Sequence, residues 1–105
     1  MSELKQRILI VDDDPGIIAG LSALLEEEWE VRSATNGREA IVAFSEFSPD
    51  VALLDVQLPD ILGIDLLHQL KMYSETTAVI MMSGVGGVDR VIESMKLGAE
   101  TFLQK

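Results

Sequence analysis

The residues of this chain that could carry chemistry are mostly acids, and they stand where apolar runs stop. Val51-Ala52-Leu53-Leu54 runs straight into Asp55. Ile8-Leu9-Ile10-Val11 runs into Asp12-Asp13-Asp14, and Ala78-Val79-Ile80-Met81-Met82 stops at Ser83. A short apolar run without polar alternation suits a strand buried on both faces, as in a parallel sheet. In open α/β sheets the carboxyl ends of the strands are where ligands bind. Asp12, Asp13 and Asp55 brought to one such edge would repel one another, so either some hold protons or a cation neutralises them. Oxygen donors with room for water suit Mg2+ better than zinc. A carboxylate beside Mg2+ can attack phosphorus and form an acyl phosphate. The transferring group then needs a second cation, for which Lys105 is suited, and Ser83 could donate a hydrogen bond to a phosphoryl oxygen.

An alternation of strands and helices would position these groups. The sequence predicts strands over residues 7–11, 29–34, 51–55, 78–82 and 101–104. Between them, apolar residues recur at helical spacing: Ile17, Ile18, Leu21, Leu24 and Leu25; Ala40, Ile41, Phe44 and Phe47; Leu66, Leu67 and Leu70; Val91, Ile92 and Met95. Asp14 suits the N-cap of the first helix, with Pro15 in its first turn. Asn36-Gly37 reads as a turn, Pro49-Asp50 as a stop, Leu58-Pro59-Asp60 with Gly63 as a loop, and Gly98 as a C-cap. Strand and helix in alternation imply a doubly wound α/β fold with a five-stranded parallel sheet. In the order 2-1-3-4-5, the first and third strands are neighbours at the switch point, and Asp12, Asp13 and Asp55 converge there.

Composition narrows the class further. At 105 residues the chain fits one domain, and 48% hydrophobic with 5% aromatic residues means a core of Ile, Leu, Val and Ala. The absence of Cys excludes disulfides and thiolate sites and agrees with a reducing cytoplasm. A net charge of −10 argues against a nucleic-acid-binding surface. The early apolar run is too short for a signal peptide or a membrane span.

With these residues in view, the chain resembles the receiver domain of two-component response regulators. The matching pieces are residues 8–15, Leu53-Leu54-Asp55 with Leu58-Pro59, Met81-Met82-Ser83-Gly84, and Lys96-Leu97-Gly98-Ala99 with Phe102 and Lys105. The third and fourth pieces look most like receivers of the nitrogen-regulation type. The resemblance implies a flavodoxin-like fold and a phosphoacceptor signalling domain rather than an enzyme. It implies that Asp55 accepts a phosphoryl group from a sensor histidine kinase. It further implies that Asp13 binds Mg2+ directly, Asp12 directly or through water, and the Gln57 backbone carbonyl completes the protein ligands. Ser83 and Lys105 would hold the phosphoryl group, and Phe102 would turn inward as Ser83 moves.

Other residues read more plainly. Asp14 is only a helix cap, His68 a surface or packing residue, and Glu26-Glu27-Glu28 a solvated face. Gly84-Val85-Gly86-Gly87 lacks the Lys-Ser or Lys-Thr of a nucleotide-binding loop. Trp29 opens the second strand, so it should lie at the end of the sheet away from the acids. Two rival readings remain. A Mg2+-dependent phosphatase usually needs a second Asp two residues after the nucleophile, where this chain has Gln57. A receiver-like interaction module would no longer phosphorylate.

The chain departs from the family pattern at Lys105, where a fifth helix would normally follow. Right-handed crossovers put the first helix alone on its face of the sheet. An uncovered apolar patch of several hundred Å² is therefore expected there, to be covered by a second copy, an exchanged element or an output domain. The reading is of a single receiver domain, residues 1–105, cut after the fifth strand.

Overall fold

In the computed structural model, residues 5–84 and 98–104 are described, without the side chains of Thr101, Phe102 and Gln104. Five apolar segments form one parallel sheet: β1 (Gln6–Val11), β2 (Trp29–Ala34), β3 (Val51–Asp55), β4 (Ala78–Ser83) and β5 (Thr101–Gln104). Their order is β2-β1-β3-β4-β5, the arrangement expected from the sequence. Three helices among the described residues, α1 (Pro15–Leu25), α2 (Gly37–Phe47) and α3 (Gly63–Tyr73), connect them. The expected fourth helix, with Val91, Ile92 and Met95, lies outside the described residues, as do Val85-Gly86-Gly87 and Lys96-Leu97. Gly98 has φ +108°, a left-handed conformation that favours glycine; the helix it was expected to cap lies outside the described residues.

Alternation of side chains divides the sheet into two faces. Leu9, Val11, Ala52, Leu54, Val79 and Met81 meet Ala40, Ala43 and Phe44 of α2 and Leu66, Leu67 and Leu70 of α3 in the larger core. Ile8, Ile10, Leu53 and Met82 form the smaller core, against Ile18, Leu21 and Leu25 of α1 and Trp29 and Val31 of β2. This division follows from handedness: the α1 crossover moves one way across the sheet, those through α2 and α3 the other.

The α1 face corrects one expectation. Leu53 and Met82 are buried at 5% and 3% exposure, so that face is not bare. They belong to a cluster against which Ile18, Leu21 and Leu25 of α1 and Val51 and Ile80 of the sheet pack. Cover thins towards the edge, where Leu103 is 48% exposed. No residue of α1 is fully buried, although the helix is apolar almost throughout.

Two punctuation residues act differently from their sequence reading. Asn36 is the N-cap of α2, its side chain accepting from the Glu39 amide, and Gly37 is already helical. Gly63 begins α3 instead of sitting in the loop. As expected, Asp14 caps α1 by accepting from the Gly16 amide at 2.8 Å and Pro15 is its first residue. Among the described residues no helix is long and apolar enough to cross a membrane.

Candidate functional site

The register of the sheet brings the acids together. Val11 of β1 pairs with Leu54 of β3, so the next residues, Asp12 and Asp55, emerge side by side at the carboxyl rim. Asp13 follows Asp12 and stands exposed, while Asp12 and Asp55 are buried at 0% and 5%. One carboxylate oxygen from each of the three lies within 4.8 Å of the others. Backbone amides hold two of them in place. The Asp14 amide donates to Asp12 Oδ1 at 2.9 Å, and the Gln57 amide donates to Asp55 Oδ1 at 3.1 Å.

The chemistry of this donor set suits a hard divalent cation. Like charges at this spacing repel by roughly 1 kcal/mol per pair in water-like surroundings and by about 3 kcal/mol at the effective dielectric of a protein surface. Oxygen-only donors gathered this closely would suit Mg2+, which takes one or two carboxylates and keeps water in its remaining positions.

The other expected site residues are placed less completely. Ser83 ends β4 at the same rim, is buried at 6%, and its hydroxyl donates to the Gly84 carbonyl at 3.1 Å. Phe102 pairs with Met81 in the β4–β5 register; its side chain, and Lys105 altogether, lie outside the described residues. Gln57 lies in the loop after β3 and forms an isolated bridge with Leu62. That loop closes tightly, with the Gly63 amide donating to the Val56 carbonyl at 2.7 Å. A Cβ on Gly63 would collide with the Asp55 carbonyl oxygen, so glycine is what lets α3 start directly beneath the site. His68 is exposed, in keeping with a surface role.

Two acids beside the site escaped the sequence reading. Asp60 accepts from the amides of Gly37 at 2.7 Å and Arg38 at 3.0 Å, at the N-terminus of α2. The Gly37 bond above all holds its carboxyl below the usual carboxylate value against an opposing cost of desolvation, and the Arg38 bond adds in the same direction as the Gly37 bond. Glu39 accepts from the amide and the hydroxyl of Thr35, both at 2.9 Å, and these bonds lower its carboxyl in the same direction. Asn36 three residues before Glu39 was a legible capping signal. Asp60 offered none, because its partners lie more than twenty residues upstream.

A parallel sheet in this order, with three acids gathered at the β1–β3 switch point, defines a class of α/β phosphoacceptor domains. Comparison with known proteins agrees. The family model described as "Response regulator receiver domain" matches residues 8–105. Sporulation initiation phosphotransferase F of Bacillus subtilis is 36% identical over 97% of this chain and 83% of its own length. The regulatory protein AtoC of Escherichia coli is 35% identical over 94% of this chain, which spans only 22% of that protein. The crystal structure of a CheY-like receiver domain protein from Methanospirillum hungatei superimposes with a TM-score of 0.92 at 31% identity, covering 97% of this chain and 82% of the other. The chain belongs to the response regulator receiver domain family. The nitrogen-regulation type stands among the matches without being singled out. Receiver domains are phosphoacceptor signalling domains, not enzymes, and they work with sensor histidine kinases and output domains.

Proposed function

We propose that this chain is one receiver domain in which Asp55 takes a phosphoryl group from a phosphohistidine of a sensor kinase. An oxygen of the Asp55 carboxylate attacks phosphorus. The new P–O bond forms as the P–N bond breaks, and the imidazole leaves with the electron pair and takes a proton from water. The Gln57 amide orients the Asp55 carboxylate, and the Asp14 amide orients Asp12. Asp12, Asp13, Asp55 and the Gln57 carbonyl are the proposed ligands of Mg2+, which supplies charge stabilisation to the transferring group. Ser83 and Lys105 are the proposed holders of the phosphoryl oxygens, and Phe102 the aromatic that follows Ser83. Phosphorylation would shift an existing equilibrium at the β4 rim and so alter a protein-binding surface.

The observation that carries this reading is the meeting of three carboxylates within 4.8 Å at the carboxyl rim. We place the domain in the cytoplasm, with no nucleic acid bound by the domain itself. A probable transcriptional regulatory protein, TcrX of Mycobacterium tuberculosis, is 34% identical over 93% of this chain, which supports an output in transcription. Leu24 of α1 and Leu103 of β5, 80% and 48% exposed, are where we expect an output domain or a second copy to rest.

The test is intact mass after incubation with acetyl phosphate and Mg2+. Wild type should gain a single phosphate and Asp55→Asn none. Turnover of an added phosphate ester would instead support a phosphatase. A wild-type chain that binds no Mg2+ and gains no phosphate would support the inert interaction module.

A further inference from the structure

Residues 56–62, between β3 and α3, form no helix or strand, yet they are held firmly. The base of the loop is closed by the Gly63–Val56 hydrogen bond and the Gln57–Leu62 bridge. Its start is tied to the phosphoacceptor side chain by the Gln57 amide. Its tip is tied to a different element, because both carboxylate oxygens of Asp60 accept from the first amides of α2. Beside that contact, the Ile61 side chain fills the space a Cβ on Gly37 would need, and Ile61 and Leu58 pack against the larger core.

We propose that Asp60 is a positioning residue for the metal site: by bracing the 56–62 loop against α2, it sets the Gln57 carbonyl and the Asp55 carboxylate where a divalent cation can be shared. This rests on the reading of Asp55 and Gln57 given under Proposed function. The start of α2 already has its own cap in Asn36, which serves the Glu39 amide. Asp60 serves the Gly37 and Arg38 amides, which a helix leaves without intrahelical partners, and it does so from the site loop. An anion at a helix N-terminus is stabilised there by the aligned peptide dipoles. The energy of that contact therefore acts on the loop that carries the proposed ligand. Groups that orient metal ligands in this indirect way typically change metal affinity about 10- to 100-fold when removed.

The experiment measures Mg2+ affinity of the full chain by titration calorimetry for wild type, Asp60→Asn, Asp60→Ala and Asn36→Ala, with thermal melts of each. Asp60→Asn keeps one accepting oxygen and so retains the fold. It should weaken Mg2+ binding about 10-fold, and Asp60→Ala at least as much. Asn36→Ala removes a cap of the same helix without touching the loop. It should lower the melting temperature by a few degrees and leave Mg2+ affinity unchanged. The proposal is overturned if the Asp60 variants bind Mg2+ like wild type, which would leave Asp60 a helix cap only. It is also overturned if Asn36→Ala weakens Mg2+ binding equally, or if wild type binds no Mg2+. Phosphate uptake from acetyl phosphate is scored separately. Wild type that binds Mg2+ but gains no phosphate counts against the phosphoacceptor reading, while the Mg2+ affinities still decide the brace.

Discussion

At the end of the sheet where the strands begin, the Asp50 carboxylate accepts from the Arg7 amide at 2.8 Å. The Arg7 guanidinium donates to the Phe47 carbonyl at 2.9 Å, pairs with Glu30 at 3.3 Å and lies 5.5 Å from the centre of the Phe47 ring. The Thr77 hydroxyl, 4% exposed, donates to the Pro49 carbonyl at 3.0 Å. Donors and acceptors there are matched among β1, β2, α2 and the residues that lead into β3 and β4. At the other end of the same strands, Asp12, Asp13 and Asp55 meet each other. The first end is built for cohesion. The second keeps like charges close, at a cost in stability that a bound cation would offset.

The strongest way to break this contrast is to add the cation. Mg2+ at about a hundred times its dissociation constant should stabilise wild type by about 2.7 kcal/mol, read as a shift in the urea midpoint. Asp13→Asn should gain far less. In metal-free buffer Asp13→Asn should be the more stable of the two by about 1 kcal/mol. If it proved less stable, the rim would be a cohesive network like the far end.

A smaller effect is expected at the matched end. Thr77→Val removes a buried hydroxyl and leaves the Pro49 carbonyl short of a donor. It should cost about 1 to 2 kcal/mol, by the same measurement, with no change in Mg2+ affinity.

Acid should act on the elements flanking the rim. Glu39 and Asp60 are both held below their ordinary values of 4.5 and 3.8. A carboxyl depressed by folding contributes stability that is complete above the ordinary value and is lost as the pH falls through the depressed one. Urea midpoints should therefore fall as the pH drops below these ordinary values, and less steeply in Asp60→Asn. Equal slopes would show that the Asp60 contact contributes nothing.

The smallest expected signal is at Trp29. It pairs with Gln6 at the start of β1, five residues from Val11 and the acids beyond it, which is roughly 17 Å along a strand. Its fluorescence should hardly change on Mg2+ titration. Strong quenching would mean that the two ends communicate.

Much of this was legible along the chain. The apolar runs ending in Asp12, Asp55 and Ser83 became β1, β3 and β4 nearly as read, because a strand buried on both faces admits few polar residues. The sheet order was expected from the known pattern of doubly wound sheets, and handedness then assigned each helix to a face. Two things were not legible. Residues 15–25 read as a helix with an apolar stripe for the sheet, yet α1 buries no residue fully. That face was expected to carry an uncovered apolar patch, yet Leu53 and Met82 on it are buried in a cluster with residues of α1 and the sheet.

Residue types and spacing were sufficient to name Asp12, Asp13 and Asp55 and the strands that end in them, because burial and backbone pairing act on short stretches of chain. That the three carboxylates approach within 4.8 Å was settled by the β1–β3 register. That Asp60 reaches back to the amides of Gly37 and Arg38 was settled by how the loop after β3 lies on α2. Contacts between residues more than twenty positions apart leave no local pattern; they depend on where whole elements pack.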